Sequence, residues 1–196
     1  MSPQTFIFIG QSGCGKGTQA ELLKKVIQEK YPQDEIFHLE TGPNFRNFVL
    51  GEKYSSKLAK NISDKGDLQP AFLAVYFWAD VLLNNLKENE HIIFDGICRR
   101  LEEVEVFTTA MEFYNRKPTV IYIDVSRKWS EERLLGRGRL DDKNIDQLRG
   151  RLDWFEKDTI TVIEYFKKNE RYTTFLINGE QTIEEVHREI IRKLGW

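Results

Sequence analysis

The sequence predicts an α/β fold in which a doubly wound, five-stranded parallel sheet carries helices on both faces. Five short segments are continuously apolar and rich in β-branched and aromatic residues, which is typical of strands buried on both faces of a parallel sheet. Segments with apolar residues at intervals of three and four positions lie between them and indicate amphipathic helices. Strands that alternate with helices in this way form a parallel sheet covered by helices.

The predicted strands follow one another along the whole chain. They are Thr5–Ile9, Ile36–Leu39, His91–Asp95, Thr119–Val125 and Tyr172–Asn178. Helical spacing is clearest in Gln19–Lys30 and in Gln181–Leu194. A further helix is predicted to bury the aromatic residues Phe72, Tyr76, Phe77 and Trp78.

Two segments interrupt the alternation of strands and helices. Residues Thr41–Pro70 are mostly helical in pattern, polar and punctuated by glycine, and Arg137–Asp146 are dense in charge. Both are predicted to be insertions into one domain, whose core comprises residues 1–40, 71–136 and 147–196. Surface insertions of this kind often carry function.

Composition excludes several classes of protein. A chain of 196 residues is most simply one domain. Its 29 basic and 31 acidic residues give a net charge of −2, which favours neither nucleic acid nor anionic lipid as a partner. No apolar run approaches the roughly 18–20 residues that span a bilayer, and the N-terminus lacks the pattern of a signal peptide. We therefore expect a cytoplasmic protein, and a monomer.

A glycine-rich loop follows the first strand. The segment GQSGCGKGTQ, residues 10–19, begins with the spacing G-x-x-x-x-G-K, in which backbone N–H groups and the start of the next helix surround a phosphate. Lys16 is in register to reach the β- and γ-phosphates of a nucleotide. The preceding strand and the following helix distinguish this loop from an ordinary strand-to-helix turn, and predict a fold of the P-loop NTPase type.

The magnesium position is predicted to lie at a strand end. The hydroxyl residue that usually follows the loop lysine is replaced by Gly17, and Thr18 comes one place later. Asp95 ends the third predicted strand, where an aspartate holds magnesium, usually through water. We therefore expect Asp95 to bind Mg²⁺ through water, the alternative being a carboxylate that only terminates the strand.

Arginines are concentrated in and beside the insertions. Guanidinium groups bind phosphate oxygens in pairs and stabilise the charge that spreads over a phosphoryl group during transfer. The arginines predicted to converge on the phosphate loop are Arg46, Arg99, Arg137, Arg139 and Arg151.

With these motifs, the sequence resembles the nucleoside monophosphate kinases of adenylate kinase type. The loop is similar to that family's G-x-x-G-x-G-K-G-T, HLETGPNFR to its acceptor segment ending T-G-D-x-x-R, and DGICR to D-G-F-P-R. The segments RGRLDD and RGRL resemble the edges of its arginine-rich lid in the short form without zinc, and INGEQTIEEV resembles its last strand and turn.

The resemblance implies a role for each matched residue, with ATP, AMP and Mg²⁺ as the bound molecules. The ATP site would comprise Gly13, Cys14, Gly15, Lys16, Gly17, Thr18, Arg137 and, near the adenine, Gln181. The acceptor site would comprise Thr41, Gly42, Arg46, Asp67, Leu68, Gln69, Gly96, Ile97, Cys98, Arg99 and Glu103. Arg139 and Arg151 would bridge the two nucleotides. The residues implied in catalysis are Lys16, Asp95, Arg99, Arg137, Arg139 and Arg151.

Three departures from the family pattern bear on the acceptor. Pro43 stands where the family has aspartate, Ile97-Cys98 replace F-P, and Glu103 falls where a glutamine usually contacts the acceptor adenine. A carboxylate accepts hydrogen bonds but does not donate them. Thr41 favours adenine, since relatives specific for pyrimidines tend to have alanine there.

The sequence therefore predicts reversible transfer of the γ-phosphoryl group of Mg·ATP to AMP. The alternatives are a kinase for CMP, UMP or another small acceptor such as a sugar or metabolite hydroxyl, and a nucleotide sensor without turnover. Cys14 and Cys98 either fill space in the nucleotide site or are reactive thiols whose pKa is depressed by nearby cations and a helix start.

Overall fold

The five predicted strands form one sheet, and every neighbouring pair in it is parallel. A computed structural model describes residues 3–138 and 144–196. Its strands are β1 (Thr5–Gly10), β2 (Ile36–Glu40), β3 (His91–Asp95), β4 (Pro118–Asp124) and β5 (Thr173–Asn178). They pair in the order β2-β3-β1-β4-β5, so β1 lies at the centre. The α/β fold class is confirmed.

Helices connect the strands and pack on both sides of the sheet. Their bounds are α1 (Lys16–Lys30), α2 (Thr41–Val49), α3 (Tyr54–Asp64), α4 (Ala71–Asn85), α5 (Leu101–Phe113), α6 (Arg127–Arg137), α7 (Ile145–Trp154), α8 (Ile160–Lys168) and α9 (Ile183–Leu194). One turn of π-helix, Phe155–Thr159, joins α7 to α8. The first helix starts three residues earlier than the apolar spacing indicated, directly at Lys16.

The alternating side chains of β1 divide the core into two layers. Ile7 and Ile9 pack in the layer that contains residues of α4, α5 and α8. Phe6 and Phe8 pack in the layer that contains residues of α1 and α9. Because successive strand residues point to opposite faces, a continuously apolar strand supplies both layers at once.

The prediction that all five strands are buried on both faces is wrong for the two edge strands, since only Leu39 is buried in β2 and β5 is more exposed still. Leu176 is 46% exposed, and of the six residues of β5 only Ile177 is buried. The strand order gives the reason, because β5 is an edge strand with β4 as its one neighbour. An edge strand near the end of the sheet receives less cover from the helices on either face.

The aromatic residues of α4 are divided between core and surface. Trp78 is buried against Phe107, as predicted for the core. Phe72 and Tyr76, 74% and 57% exposed, do not belong to the core. Phe77 lies partly buried against Phe48 of α2. This face of α4 therefore packs against the segment predicted to be an insertion, which the sequence pattern alone did not reveal.

The segment 41–70 forms two helices, α2 and α3, followed by a turn at Gly66 that contacts α7. Gln147 Nε2 donates to the carbonyl of Asp64 over 3.0 Å, and Trp154 Nε1 donates to the carbonyl of Gly66 over 3.1 Å. The end of α3 is therefore fastened to α7 by two hydrogen bonds. Within the described ranges, no helix is both long and apolar enough to cross a bilayer.

Candidate active site

The carboxyl ends of the strands meet at one edge of the sheet. The direction of the connections reverses at β1, because the chain passes from β1 to β2 and β3 on one side of this strand and then crosses from β3 to β4 on its other side. Ligands of open parallel sheets bind in the crevice outside such a reversal. The glycine-rich loop starts at this point, and Asp95 ends the neighbouring strand in register with Phe8.

The loop between β1 and α1 has the backbone conformation that phosphate binding requires. Gly15, with a φ of 96°, is the N-cap residue of α1. This left-handed conformation is open to glycine and strained for most other residues. Among the described residues, no side chain caps α1 and its first turn contains no acidic residue. The helix start therefore presents its N–H groups and positive dipole to the crevice.

Lys16 turns its ammonium group into the loop. Nζ donates to the carbonyl oxygens of Gly10 and Gln11, at 2.8 and 2.9 Å, and lies 3.7 Å from Cys14 Sγ. A phosphate bound in the loop would therefore lie next to the ammonium group of Lys16. Thr18, the third residue of α1, has an exposed side chain.

A buried hydrogen bond fixes the loop to α6, and sequence analysis missed it. Ser130 Oγ donates to Gln11 Oε1 over 2.7 Å, and both side chains are buried. Since 119 positions separate the two residues, no local pattern pointed to their contact. The bond holds the variable second position of the loop against the helix that leads to residue 137.

Asp95 lies beside the start of α1. A Cβ atom on Gly17 would be 3.5 Å from Asp95 Oδ2. The missing side chain at residue 17 therefore leaves space next to this carboxylate. An oxygen donor with room for water beside a phosphate loop suits a hydrated Mg²⁺ ion, which keeps several of its waters when protein binds it.

A second group of predicted residues surrounds Gly96, on the other side of Asp95. Thr41 Oγ1 donates to the carbonyl of Gly96 over 3.0 Å. A Cβ atom on Gly96 would lie 3.3 Å from Arg99 Nη2, and one on Gly42 would lie 3.0 Å from Arg46 Nη1. The start of α2 and the loop after β3 are thus in direct contact, and both carry arginines.

Arg99 contacts two residues from the end of α7 and the π-helical turn. Its guanidinium carbon lies 5.5 Å from the centre of the Trp154 ring, and its backbone carbonyl accepts a hydrogen bond from Thr159 Oγ1 over 3.1 Å. Burial lowers the pKa of Arg99 from its ordinary value, Glu103 and Asp95 oppose that effect, and the charge of Arg151 adds to it. Arg99 and Arg151 therefore lie close together, near two carboxylates.

One cleft contains both the phosphate loop and Arg99. Residues that line it include Gly10, Ser12, Lys16, Gly96, Arg99 and Trp154. The cleft therefore has two predicted cations, Lys16 and Arg99, in its lining. Trp154 and Thr159 escaped sequence analysis because the π-helical turn that follows Trp154, and carries Thr159, has no simple periodicity, although such turns are frequent at functional sites.

Glu103 is buried at the start of α5 and is 2% exposed. Burial raises the pKa of its carboxyl group, while Arg99 and the backbone N–H groups of Cys98 and Arg99 oppose that effect. Its oxygens are therefore engaged with the loop that carries Arg99. Whether Glu103 contacts an acceptor base stays a prediction.

Neither cysteine has the environment of a reactive thiol. Burial raises the pKa of Cys14 despite the opposing charge of Lys16, and raises the pKa of Cys98 well above its ordinary value. Both thiols are free and buried. The alternative that cations and a helix start depress these pKa values is wrong, because removal from water outweighs both effects. The space-filling role remains.

The turn 67–69 contacts the same loop through a neighbouring arginine. Arg100 Nη2 donates to the carbonyl of Leu68 over 3.3 Å. The side-chain amide nitrogen of Gln69 donates hydrogen bonds within the segment 41–70, to the carbonyl of Ala59 at 3.0 Å and to Ser63 Oγ at 3.1 Å. Asp67 is exposed.

Gln181 stands apart from these groups, between β5 and α9. Its amide nitrogen donates to the carbonyl of Asn178 over 2.8 Å and to Glu189 Oε2 over 3.1 Å. The loop and this region are linked through Gln19 Nε2, which donates to the carbonyl of Ile183 over 2.9 Å. Arg139 lies outside the described residues, and so does the side chain of Arg137. Their predicted roles stay predictions.

Comparison with known proteins identifies a family over most of the chain. Residues 8–171 match the family model described as adenylate kinase. An adenylate kinase of Flavobacterium psychrophilum is 32% identical over 192 residues, which cover 94% of each chain. Those of Helicobacter pylori and Prochlorococcus marinus are 31% and 30% identical, and the matches cover at least 94% of each chain.

Proposed function

Because the chain belongs to the adenylate kinase family, and is therefore a phosphotransferase, we propose that it transfers the γ-phosphoryl group of Mg·ATP reversibly to AMP. The products of the forward reaction are two molecules of ADP. The observation that carries the proposal is the shared cleft with Lys16 and Arg99 on its walls. One cation faces the donor phosphates and the other faces the acceptor phosphate.

The donor side is the phosphate loop. Gly13, Gly15 and Gly17 allow the backbone to approach ATP, and Lys16 exchanges its bonds to the Gly10 and Gln11 carbonyls for bonds to the phosphates. Thr18 is exposed at the same helix start and contacts a phosphate oxygen. Arg137 from the lid and Gln181 near the adenine complete the proposed ATP site.

The magnesium position is proposed beside Asp95. The carboxylate of Asp95 lies next to Gly17, which has no side chain to cover it. Asp95 would hold the ion through water, since Mg²⁺ keeps part of its hydration shell. When bound, the ion neutralises charge on the donor phosphates.

The acceptor side is formed by the two contacting segments around Gly96. Arg46 and Arg99 grip the phosphate of AMP, and Thr41 helps to position it next to Gly96. Arg151, close to Arg99, bridges donor and acceptor together with Arg139. The acceptor oxygen is already anionic near neutral pH, so the reaction needs alignment and charge neutralisation rather than a general base.

The domain organisation follows from the same proposal. Residues 41–70 are the acceptor-binding insertion, residues 137–146 are a short lid, and the rest is one core. The contact between Gly66 and Trp154 supports an insertion that closes against the core. Closure excludes water, which competes with AMP as acceptor. We further propose a cytoplasmic monomer, in keeping with two free cysteines in the described part of the chain.

A panel of initial rates tests the proposal. Purified protein with fixed Mg·ATP is assayed against AMP, CMP, UMP, GMP and simple alcohols, with ADP formation as the measurement. We expect AMP to give the highest kcat/KM. Higher turnover with CMP or UMP contradicts the proposed acceptor, and ATP binding without turnover of any monophosphate contradicts the proposed reaction.

A further inference from the structure

Three chemistry-bearing side chains meet between α1 and β2, where they take no part in the transfer proposed above. They are Glu21 on α1 and His38 and Glu40 on β2, and one ligand atom from each lies within 4.8 Å of the others. His38 and Glu40 are two positions apart on one strand, so both project to the same face. The helix α1 covers that face and brings Glu21 to it.

The contact with Glu21 determines which imidazole nitrogen carries hydrogen. His38 Nδ1 lies 3.0 Å from Glu21 Oε1, a hydrogen-bond distance. An ionised carboxylate only accepts hydrogen bonds, so Nδ1 is the donor. In the neutral ring, Nε2 then carries a lone pair and is itself an acceptor.

This second nitrogen is buried without a hydrogen-bond donor. The His38 side chain is 8% exposed, and Nε2 has no hydrogen-bond partner in the part of the chain that the structure describes. The group that it faces is Glu40 Oε1, 3.7 Å away. The buried ring nitrogen and the carboxylate oxygen are both acceptors, and two acceptors that face each other are unfavourable unless a positive charge lies between them.

We propose that His38 and Glu40 bind a divalent transition-metal ion, with Zn²⁺ as the preferred occupant. Imidazole and carboxylate are ligands that suit Zn²⁺, whereas Mg²⁺ prefers oxygen alone. Glu21 takes the position of the carboxylate that orients a metal-binding histidine through its other ring nitrogen. The two carboxylates together carry the charge that a divalent cation neutralises.

The geometry needs a small adjustment. Two ligand atoms bound to one zinc ion at about 2.0–2.2 Å stand roughly 3.4 Å apart, close to the separation of Nε2 and Glu40 Oε1. The Glu40 side chain is 41% exposed and free to move by this amount, and water fills the remaining coordination positions. Glu40 is also the N-cap residue of α2, so the ion would lie at the start of segment 41–70.

Zinc binding by matched variants tests the site. Chelator-treated protein is titrated with Zn²⁺ against a chromophoric zinc indicator, in buffer free of nucleotide. We expect one Zn²⁺ per chain, affinity lowered about tenfold or more in His38→Gln and Glu40→Gln, and lowered about 10–100-fold in Glu21→Gln. The control His187→Gln, which changes a histidine of α9, should bind like the wild type.

Two spectroscopic measurements identify the ligands directly. In long-range ¹H–¹⁵N spectra of the three histidines, Zn²⁺ should shift the Nε2 resonance of His38 and leave the nitrogens of His91 and His187 in place. Bound Co²⁺ should show no cobalt–thiolate charge-transfer band, because Cys14 and Cys98 are buried. Such a band would assign the metal to a cysteine and overturn the proposal.

Two further results would also overturn it. One is zinc affinity that is the same in the wild type, His38→Gln and Glu40→Gln. The other is a His38 ring that carries hydrogen on both nitrogens at neutral pH and does not respond to Zn²⁺, which would mean that a proton lies between His38 and Glu40. Circular dichroism of each variant verifies that the fold is retained.

Discussion

Lys16 places its ammonium group inside the glycine-rich loop, where it donates to two carbonyl oxygens that a phosphate would replace in the proposed reaction. Arg99 lines the same cleft. In the proposed reaction both cations stabilise charge on phosphoryl oxygens, so we expect them to contribute to the transfer step rather than to folding.

Replacement of Lys16 by alanine should lower kcat by about 10²–10³-fold or more, because one preorganised donor to the transition state is lost. Arg99→Ala should have an effect of similar size. Initial rates at saturating Mg·ATP and AMP measure both. Lys25→Ala, which changes an exposed lysine of the same helix α1, is the control and should keep wild-type kcat.

Near-wild-type turnover of Lys16→Ala with an unchanged melting temperature would contradict the role of the loop. A circular dichroism spectrum of each variant shows whether a loss of activity is accompanied by a loss of the fold.

Glu103 should make stability depend on pH. Burial raises the pKa of this carboxyl group in the folded protein, so its ionisation is disfavoured there relative to the unfolded chain, whose pKa is near the ordinary 4.5. Neutral Glu103 therefore makes its full contribution to stability below pH 4.5, and this contribution is lost as the pH rises through the pKa of the folded protein. The stability of Glu103→Gln should not fall in this way, because the glutamine side chain stays neutral.

The measurement is urea unfolding of wild type and Glu103→Gln across pH 4 to 8. The free energy of unfolding of the variant relative to the wild type should increase with pH. A difference that stays constant or decreases would show that Arg99 and the backbone N–H groups outweigh burial. Glu102→Gln, which changes the exposed neighbouring carboxyl group, is the matched control.

At the scale of elements, the junction of α7 and α8 connects parts of the site that come from distant segments. Trp154, the last residue of α7, lies against the Arg99 guanidinium and donates a hydrogen bond to the Gly66 carbonyl. Thr159, at the end of the π-helical turn, donates to the carbonyl of Arg99. The turn therefore joins the proposed acceptor arginine to the segment 41–70.

Trp154→Phe should keep the aromatic face and remove the hydrogen bond to Gly66. The lost bond is worth about 1 kcal/mol, or roughly fivefold in an equilibrium constant. We expect KM for AMP to rise by about this factor while KM for ATP changes little. Trp129→Phe, which keeps a ring beside Arg133 on α6, is the control and should change neither constant.

An equal rise in both KM values, or no change in either, would contradict a role of Trp154 on the acceptor side.

At the scale of the whole molecule, the docking of segment 41–70 depends on close backbone contact. Cβ atoms on Gly66 and Gly150 would lie 2.6 Å from the Gln147 carbonyl oxygen and 3.1 Å from the Lys65 carbonyl oxygen, respectively. The turn after α3 and the helix α7 therefore approach each other where neither has a side chain. Rigid close contact of this kind suits a segment that closes onto a fixed surface.

Gly150→Ala should push α7 away from this turn. The added methyl group lies 3.1 and 3.2 Å from two backbone oxygens, which give way less easily than side chains. We expect a higher KM for AMP and lower kcat/KM for AMP, measured by steady-state kinetics. Gly136→Ala on α6, whose Cβ would meet no described atom within 4 Å, is the control.

Unchanged kinetics of Gly150→Ala, with the same stability as Gly136→Ala, would mean that the contact is not used during turnover.

The sequence by itself determined the sheet, its parallel arrangement and the phosphate loop. These features depend on continuous apolar runs and on a glycine spacing that acts within a few residues, so they can be recognised without the fold. The predicted strands agree with the observed ones to within one residue at each end. The exposure of β5 and of Phe72 was not predictable, because it depends on which element packs on which.

Only the tertiary structure decided how the distant parts of the site meet. Trp154 lies under Arg99, Ser130 holds Gln11, and Glu21 reaches His38 across 17 positions of the chain. Such contacts are formed by side chains from separate elements, and their partners are selected by packing rather than by spacing. Local chemistry therefore fixed the class of the protein, and long-range packing fixed the neighbours of each functional group.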